Sequence, residues 1–146
     1  MIRAGIESDL PAIIDMARRF WANTIYDEDY CGDTVSAMAE MCMSHGLMAV
    51  LDVDGVARGF ACGVKGPLLA NADVLTGAEV AWWVDPEHRA GRNGIALMKY
   101  LERLAKEAGI KYWNMSFMFS SMPEAVERIY QSLGYKKTET TYMKVI

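Results

Sequence analysis

The stretch Trp82-Trp83-Val84-Asp85-Pro86-Glu87-His88-Arg89-Ala90-Gly91-Arg92-Asn93-Gly94-Ile95-Ala96-Leu97-Met98 decides how this chain is read. An apolar strand runs into a short turn with a glycine and two arginines, and a helix opens at once. Such a turn aims several backbone N–H groups at one spot, and the helix dipole adds partial positive charge there. The spot suits a phosphate, and Arg89 and Arg92 strengthen that preference. A P-loop would need a Gly-Lys pair followed by Ser or Thr for magnesium, and the turn has neither. A dinucleotide fold would need GxGxxG after the first strand, whereas this turn comes late and carries only Gly91 and Gly94. A strand–turn–helix that grips a pyrophosphate without metal remains. The bland alternative is an ordinary turn with solvated arginines.

The 146 residues suit one domain spanning 1–146, with 52% hydrophobic and 23% charged residues, a globular composition. A formal net charge of −4 argues against a nucleic-acid-binding face. Cys31, Cys42 and Cys62 are odd in number and widely spaced, which supports neither a disulfide framework nor a zinc site. His45 and His88 have no second ligand at metal-binding spacing, so no metal is expected. No apolar run reaches the ~18 residues of a membrane span and no signal-peptide pattern opens the chain. No membrane association and a cytoplasmic location are expected.

Working outward, Ile2-Arg3-Ala4 reads as a short strand, and Ser8 or Asp9 as the cap of a helix bearing Leu10, Ile13, Ile14, Ala17 and Phe20. A polar, aromatic connection between Trp21 and Gly32 leads to a second helix capped by Asp33, with Val35, Met38, Ala39 and Met41/Cys42 on its apolar face. Leu47 to Val53 and Val56 to Val64 form a hairpin at Asp54-Gly55, ended by Gly66-Pro67. A loop through Asn71 and Asp73 precedes the strand Glu79 to Val84. Its near-continuous apolar core marks a strand covered on both faces, with Trp82 and Trp83 on opposite sides. Ile95 to Ala108 reads as a helix, Lys111 to Met118 as a strand, Pro123 to Leu133 as a helix, and Lys137 to Val145 as a final strand. The order β-α-α-β-β-β-α-β-α-β gives a mixed α/β (α+β) sheet with helices on both faces.

The whole arrangement resembles the GNAT acetyltransferase superfamily. Ile2-Arg3-Ala4 with Asp9-Leu10 is similar to that family's first strand and helix. Val84-Asp85-Pro86-Glu87-His88-Arg89 is similar to its acetyl-CoA signature, and Ile129-Tyr130-Gln131-Ser132-Leu133-Gly134-Tyr135 to its late Tyr-xxx-Gly-aromatic block. Arg92 stands where the family usually has the first turn glycine, Gly91 sits one residue earlier, and Pro123 replaces a frequent Asn. The ending Glu139-Thr140-Thr141-Tyr142-Met143-Lys144 is similar to that of bacteriophage members. The resemblance implies a single-domain GNAT-like fold with a mostly antiparallel sheet and acetyl-CoA as cosubstrate. It places the coenzyme's pyrophosphate on Arg89, Ala90, Gly91, Arg92, Asn93, Gly94 and Ile95, and its pantetheine arm along the strand backbone ending at Val84.

It also implies catalytic parts for Glu79 and Tyr130. Glu79, four residues before Trp83 and so on its face, is the general base on this reading, and otherwise a strand-end carboxylate paired on the surface. Tyr130 is the acid for the leaving thiolate, although its helical stripe with Val126 and Leu133 equally suits a core tyrosine. Trp83 can be a core ring or a wall of the acceptor pocket. The Tyr26 to Tyr30 stretch can meet the acceptor or be merely solvated, and Met115, Met118 and Met122 can fill the core or line an apolar groove.

The activity implied is acetyl transfer to a primary amine of a small molecule or protein, by direct attack in a ternary complex. A lysine-type amine of pKa ~10.4 is neutral in about one molecule in ~2,500 at pH 7, so a base is needed for it, and less so for an α-amine near ~8. A non-catalytic coenzyme- or protein-binding module and a transferase using another acyl-CoA are the rivals. A homodimer is compatible with the architecture.

Overall fold

The alternation of short apolar runs and amphipathic segments resolves, in a computed structural model describing residues 1–120 and 122–146, into two units: Met1–Ser116 and Phe117–Ile146. The first holds a sheet of five strands in the order β1-β2-β3-β4-β5: β1 (Ile2–Ala4), β2 (Met48–Val53), β3 (Val56–Leu68), β4 (Asn71–Val84) and β5 (Ile110–Asn114). β1 to β4 are antiparallel neighbours, while β5 runs parallel to β4, as a crossover through a helix requires.

Helices cover both faces. On one lie α1 (Leu10–Trp21) and α2 (Gly32–Ser44), which bury Ile13, Met16, Ala39 and Cys42 against Val50, Phe60 and Cys62. On the other lies α3 (Asn93–Glu107), whose Leu97, Leu101 and Ala105 pack on Leu47, Ala49, Leu51 and Ala61. The alternating Cβ direction of a strand sends Trp83 to the first cluster and Trp82 to the second. In the second unit, α4 (Pro123–Ser132) buries Val126 and Tyr130.

Several local expectations need correction. Asp9 stands at the α1 N-cap but does not cap it, because its carboxylate is taken by the Arg3 guanidinium (2.6 and 2.8 Å) and the Ile6 amide (3.0 Å). Cys31, not Asp33, precedes α2, and Met38 and Met41 are part-exposed while Ala39 and Cys42 fill the core. Gly66-Pro67 does not end β3, nor is Asn71 to Asp73 a loop: the β3–β4 hairpin runs on to a turn at residues 69–70. Pro67 is tolerated there opposite Leu75, since a proline is excluded only where a ladder needs its missing N–H.

β5 stops at Asn114, four residues before the expected Met118. No strand forms over Lys137 to Val145; those residues are exposed and pair with nothing in the sheet. Their alternation offers too few apolar groups to bury a face, and an unpartnered strand is not stable by itself.

Candidate active site

β4 is the strand on which the site is built, and its two halves differ. Leu75 to Ala78 pair with β3 on one edge and with β5 on the other, the last β5 pair being Ala78↔Asn114. From Glu79 to Val84 only the β3 edge is paired, so a row of backbone groups on the other edge has no strand partner among the described residues. A bulge lies at the junction: Gly63 opposes Glu79 while Cys62 opposes Ala81, leaving Val80 as the extra residue. The expectation that Glu79 shares a face with Trp83 does not carry across this bulge, which resets the two-residue rhythm.

Glu79 is half-buried where β4 and β5 part. The Ser116 amide and hydroxyl donate to its carboxylate, which favours the anion, but burial outweighs them and pushes the carboxyl up to about 7. A carboxylate so poised gains and loses its proton near neutral pH, as a general base must. Ser116 was not foreseen from the sequence; it lies beyond the strand, and no pattern marks it.

Past Val84 the chain makes a short 3-10 turn over Pro86–His88 and enters α3 at Asn93. Gly91 adopts φ +81°, a left-handed conformation that its missing Cβ permits. The first amide of α3 bonded back to the turn is that of Ala96, which donates to the Arg92 carbonyl at 2.8 Å. The amides of Ala90 to Ile95 thus have no backbone acceptor outside the helix among the described residues, and the first turn of a helix offers none inside it. Asn93 Nδ2 donates to the His88 carbonyl (2.9 Å), closing the turn on itself. Gly94 is constrained by space and not by its dihedral angle: a Cβ there would come within 2.9 Å of the Trp82 ring.

The two arginines of the turn differ. Arg89 Nε donates to the Val84 carbonyl at 2.8 Å and its guanidinium lies over the Trp83 ring at 4.5 Å from the centroid. Val84 itself is buried, and its carbonyl serves to anchor that arginine. Arg92 is exposed at the α3 N-cap.

Trp83 is also held edge-on by Phe20 of α1 (6.4 Å) and donates its indole N–H to Asp85 (3.1 Å). Asp85, only 1% exposed, is a buried acid beside the turn that the sequence did not single out. Its signal was a charged residue wedged between Val84 and Pro86 at the end of a buried strand. On the connection between α1 and α2, Tyr26 stacks on Trp21 (5.3 Å) and Tyr30 donates its hydroxyl to the Ile14 carbonyl (2.6 Å), while Asp27, Glu28 and Asp29 remain exposed.

In the second unit Tyr130 is 7% exposed and packs against Phe117 (6.0 Å) and Tyr135 (5.6 Å). Met122 is exposed at the start of α4, whereas Met115, in the first unit, accepts the Trp113 indole N–H at 3.1 Å. Among the described residues no three His, Cys, Asp or Glu side chains cluster as metal ligands, and no helix is long and apolar enough to cross a membrane.

An open strand edge followed by a turn whose amides lack backbone acceptors and by two arginines is compatible with an extended amide-bearing ligand that ends in an anion. The model of the acetyltransferase (GNAT) family matches residues 11–135, and the chain belongs to that family. No curated protein sequence matches it significantly.

Among solved structures, an acetyltransferase of Trypanosoma brucei aligns at a TM-score of 0.73 and 20% identity, covering 100% of this chain and 99% of that one. A Clostridium acetobutylicum protein solved with acetyl-CoA aligns at 0.75 and 13% identity over 100% and 95%. The aminoglycoside N-acetyltransferase AAC(6')-Iy, bound to a bisubstrate analogue, aligns at 0.73 and 18% identity over 100% and 97%. These likenesses establish the GNAT fold, and the family match supports acetyl transfer as the general activity. The bacteriophage likeness of the closing segment finds no support among them.

Proposed function

We propose that the chain transfers an acetyl group from acetyl-CoA to a primary amine by direct attack in a ternary complex. The observation that carries this reading is Glu79: a carboxyl near pH 7, placed where β4 loses its β5 partner and its backbone edge opens. The pantetheine amides would pair with the edge from Glu79 to Val84, much as an added strand does. The pyrophosphate would rest on the amides of Ala90 to Ile95, with Arg89 and Arg92 adding charge-assisted contacts. Acetyl-CoA supplies the activated acyl group.

Glu79, directly or through a water, takes the proton that the amine must lose before it can attack. For an alkylamine near ~10.4 that deprotonation costs about 4–5 kcal/mol at pH 7, and Glu79 gives the proton an acceptor within the site. Backbone N–H groups of the open edge would polarise the thioester carbonyl as negative charge develops on its oxygen. Tyr130 is assigned the return of a proton to the departing thiolate. The acidic residues 27–29 favour a cationic acceptor, small molecule or protein amine.

The experiment is thiol release from acetyl-CoA against a panel of amines, with mass spectrometry of the products. Turnover with a defined acetylated product is expected. Coenzyme binding without any acceptor-dependent release would make the chain a binding module, and faster release from another acyl-CoA would change the donor. Tyr130→Phe should lower turnover at least tenfold with coenzyme affinity intact; equal turnover would remove Tyr130 from the mechanism.

A further inference from the structure

Asp85 is the more deeply buried of the two buried carboxylates among the described residues. A carboxylate withdrawn from water persists only where charged and hydrogen-bonding partners surround it. Its Oδ1 accepts from Arg19 Nη1 of α1 at 2.7 Å and from Trp83 Nε1 at 3.1 Å, and Arg58 Nη1 of β3 stands 3.9 Å from Oδ2. Its amide donates to the Arg58 carbonyl (2.9 Å), and its carbonyl accepts the His88 amide (2.8 Å) where the turn begins. The residue therefore ties α1, β3 and the start of the anion-binding turn to one point.

From Asp85 a chain of contacts runs towards the ligand side. The Trp83 ring, fixed at its nitrogen by Asp85, is the surface on which the Arg89 guanidinium lies at 4.5 Å. Arg89 is thus held at Nε by the Val84 carbonyl and on its face by the indole. Its Nη1 and Nη2 find no protein acceptor among the described residues. An arginine loses much rotamer freedom when it binds an anion, and one fixed beforehand loses less.

We infer that Asp85 is a positioning residue for the coenzyme: acting through the Trp83 indole, it sets the plane of Arg89 and presents that guanidinium as a preformed fork for a diphosphate. This rests on the reading of residues 89–95 as the pyrophosphate site. A purely structural Asp85 would support the fold alike whether or not Arg89 were present, and that difference can be measured.

The test is calorimetry of the whole chain with coenzyme A, for the unmodified protein, Trp83→Phe, Arg89→Ala and their combination. Trp83→Phe keeps a ring and removes the N–H that Asp85 holds. It should weaken coenzyme A about fivefold where Arg89 is present and less than twofold where Arg89 is alanine. Asp85→Asn should show the same dependence on Arg89; should it fail to fold, the Trp83 cycle decides alone. Equal effects in both backgrounds overturn the positioning role while leaving the coenzyme site standing. No binding by the unmodified protein overturns the site itself.

Discussion

From Leu75 to Ala78, β4 is paired on both edges; from Glu79 to Val84 it is paired on one, and Glu79, the turn amides and both turn arginines belong to or come after that second half. The paired half is filled to the limit: a Cβ on Gly77 would lie 2.8 Å from Ile110 Cδ1 and 2.9 Å from the Val64 carbonyl. The open half holds a part-exposed Val80, a half-buried Glu79 and one backbone edge with no strand partner among the described residues. Two small devices separate them, the bulge at Val80 and the end of β5 at Asn114. One strand thus supplies both a packed anchor and the open edge proposed to bind the coenzyme.

The largest expected effect falls at the junction. Glu79→Gln removes the base and should lower kcat/KM for an alkylamine acceptor about 100-fold, within the usual range for general base catalysis. The unmodified protein should gain activity as pH rises through about 7, where the Glu79 carboxyl ionises, and the variant should lose that limb and keep only the amine's own. A variant with the limb intact would assign the base elsewhere.

Stability should move the other way. With a folded-state pKa raised from 4.5 to about 7, ionisation of Glu79 opposes folding. The penalty is absent below about 4.5, grows between there and 7, and is full above 7. Glu79→Gln should therefore be more stable than the parent at pH 8, by about 1–3 kcal/mol in denaturant melts, and equal to it near pH 4.

A change in the closed half should do the opposite. Gly77→Ala gains from a less flexible unfolded chain, but the Cβ has Ile110, Trp113 and a backbone carbonyl within about 3 Å. Overpacking should win, costing about 1–2 kcal/mol of stability in denaturant unfolding, with coenzyme affinity unchanged. An affinity loss as large as the stability loss would mean that the two halves are not separable.

The contrast between the halves was only half legible in the sequence. The turn from Arg89 to Gly94 could be read because its chemistry is local: glycines, arginines and a helix start within a few residues. So could the opposite faces of Trp82 and Trp83, which reflect the strand period. The long hairpin could not, since Gly66, Pro67 and Asn71 carry the composition of a loop and are held in strands by pairing with Thr76, Leu75 and Leu68. Nor could the bulge, because one extra residue in one strand leaves no compositional trace, and with it went the side on which Glu79 stands. The tail misled in the opposite sense: its alternation over Lys137 to Val145 is a strand pattern without a strand to pair with.

The smallest expected effect bears on whether the open edge and the turn form one site. Gly94 sits in the first turn of α3 with Trp82, itself in the open half of β4, beneath it. Alanine is favoured over glycine in a helix by up to about 1 kcal/mol, yet its Cβ would start 2.9 Å from Trp82 Cζ2. The two terms oppose each other, so Gly94→Ala should leave thermal stability nearly unchanged. The ring and the helix start must nonetheless separate by some tenths of an ångström, which moves the amides of Asn93 to Ile95 away from the anion. Coenzyme A should bind about threefold more weakly, a loss of about 0.6 kcal/mol. Unchanged affinity with a lowered melting temperature would mean that the helix start only packs on β4, and that the anion is held by the arginines alone.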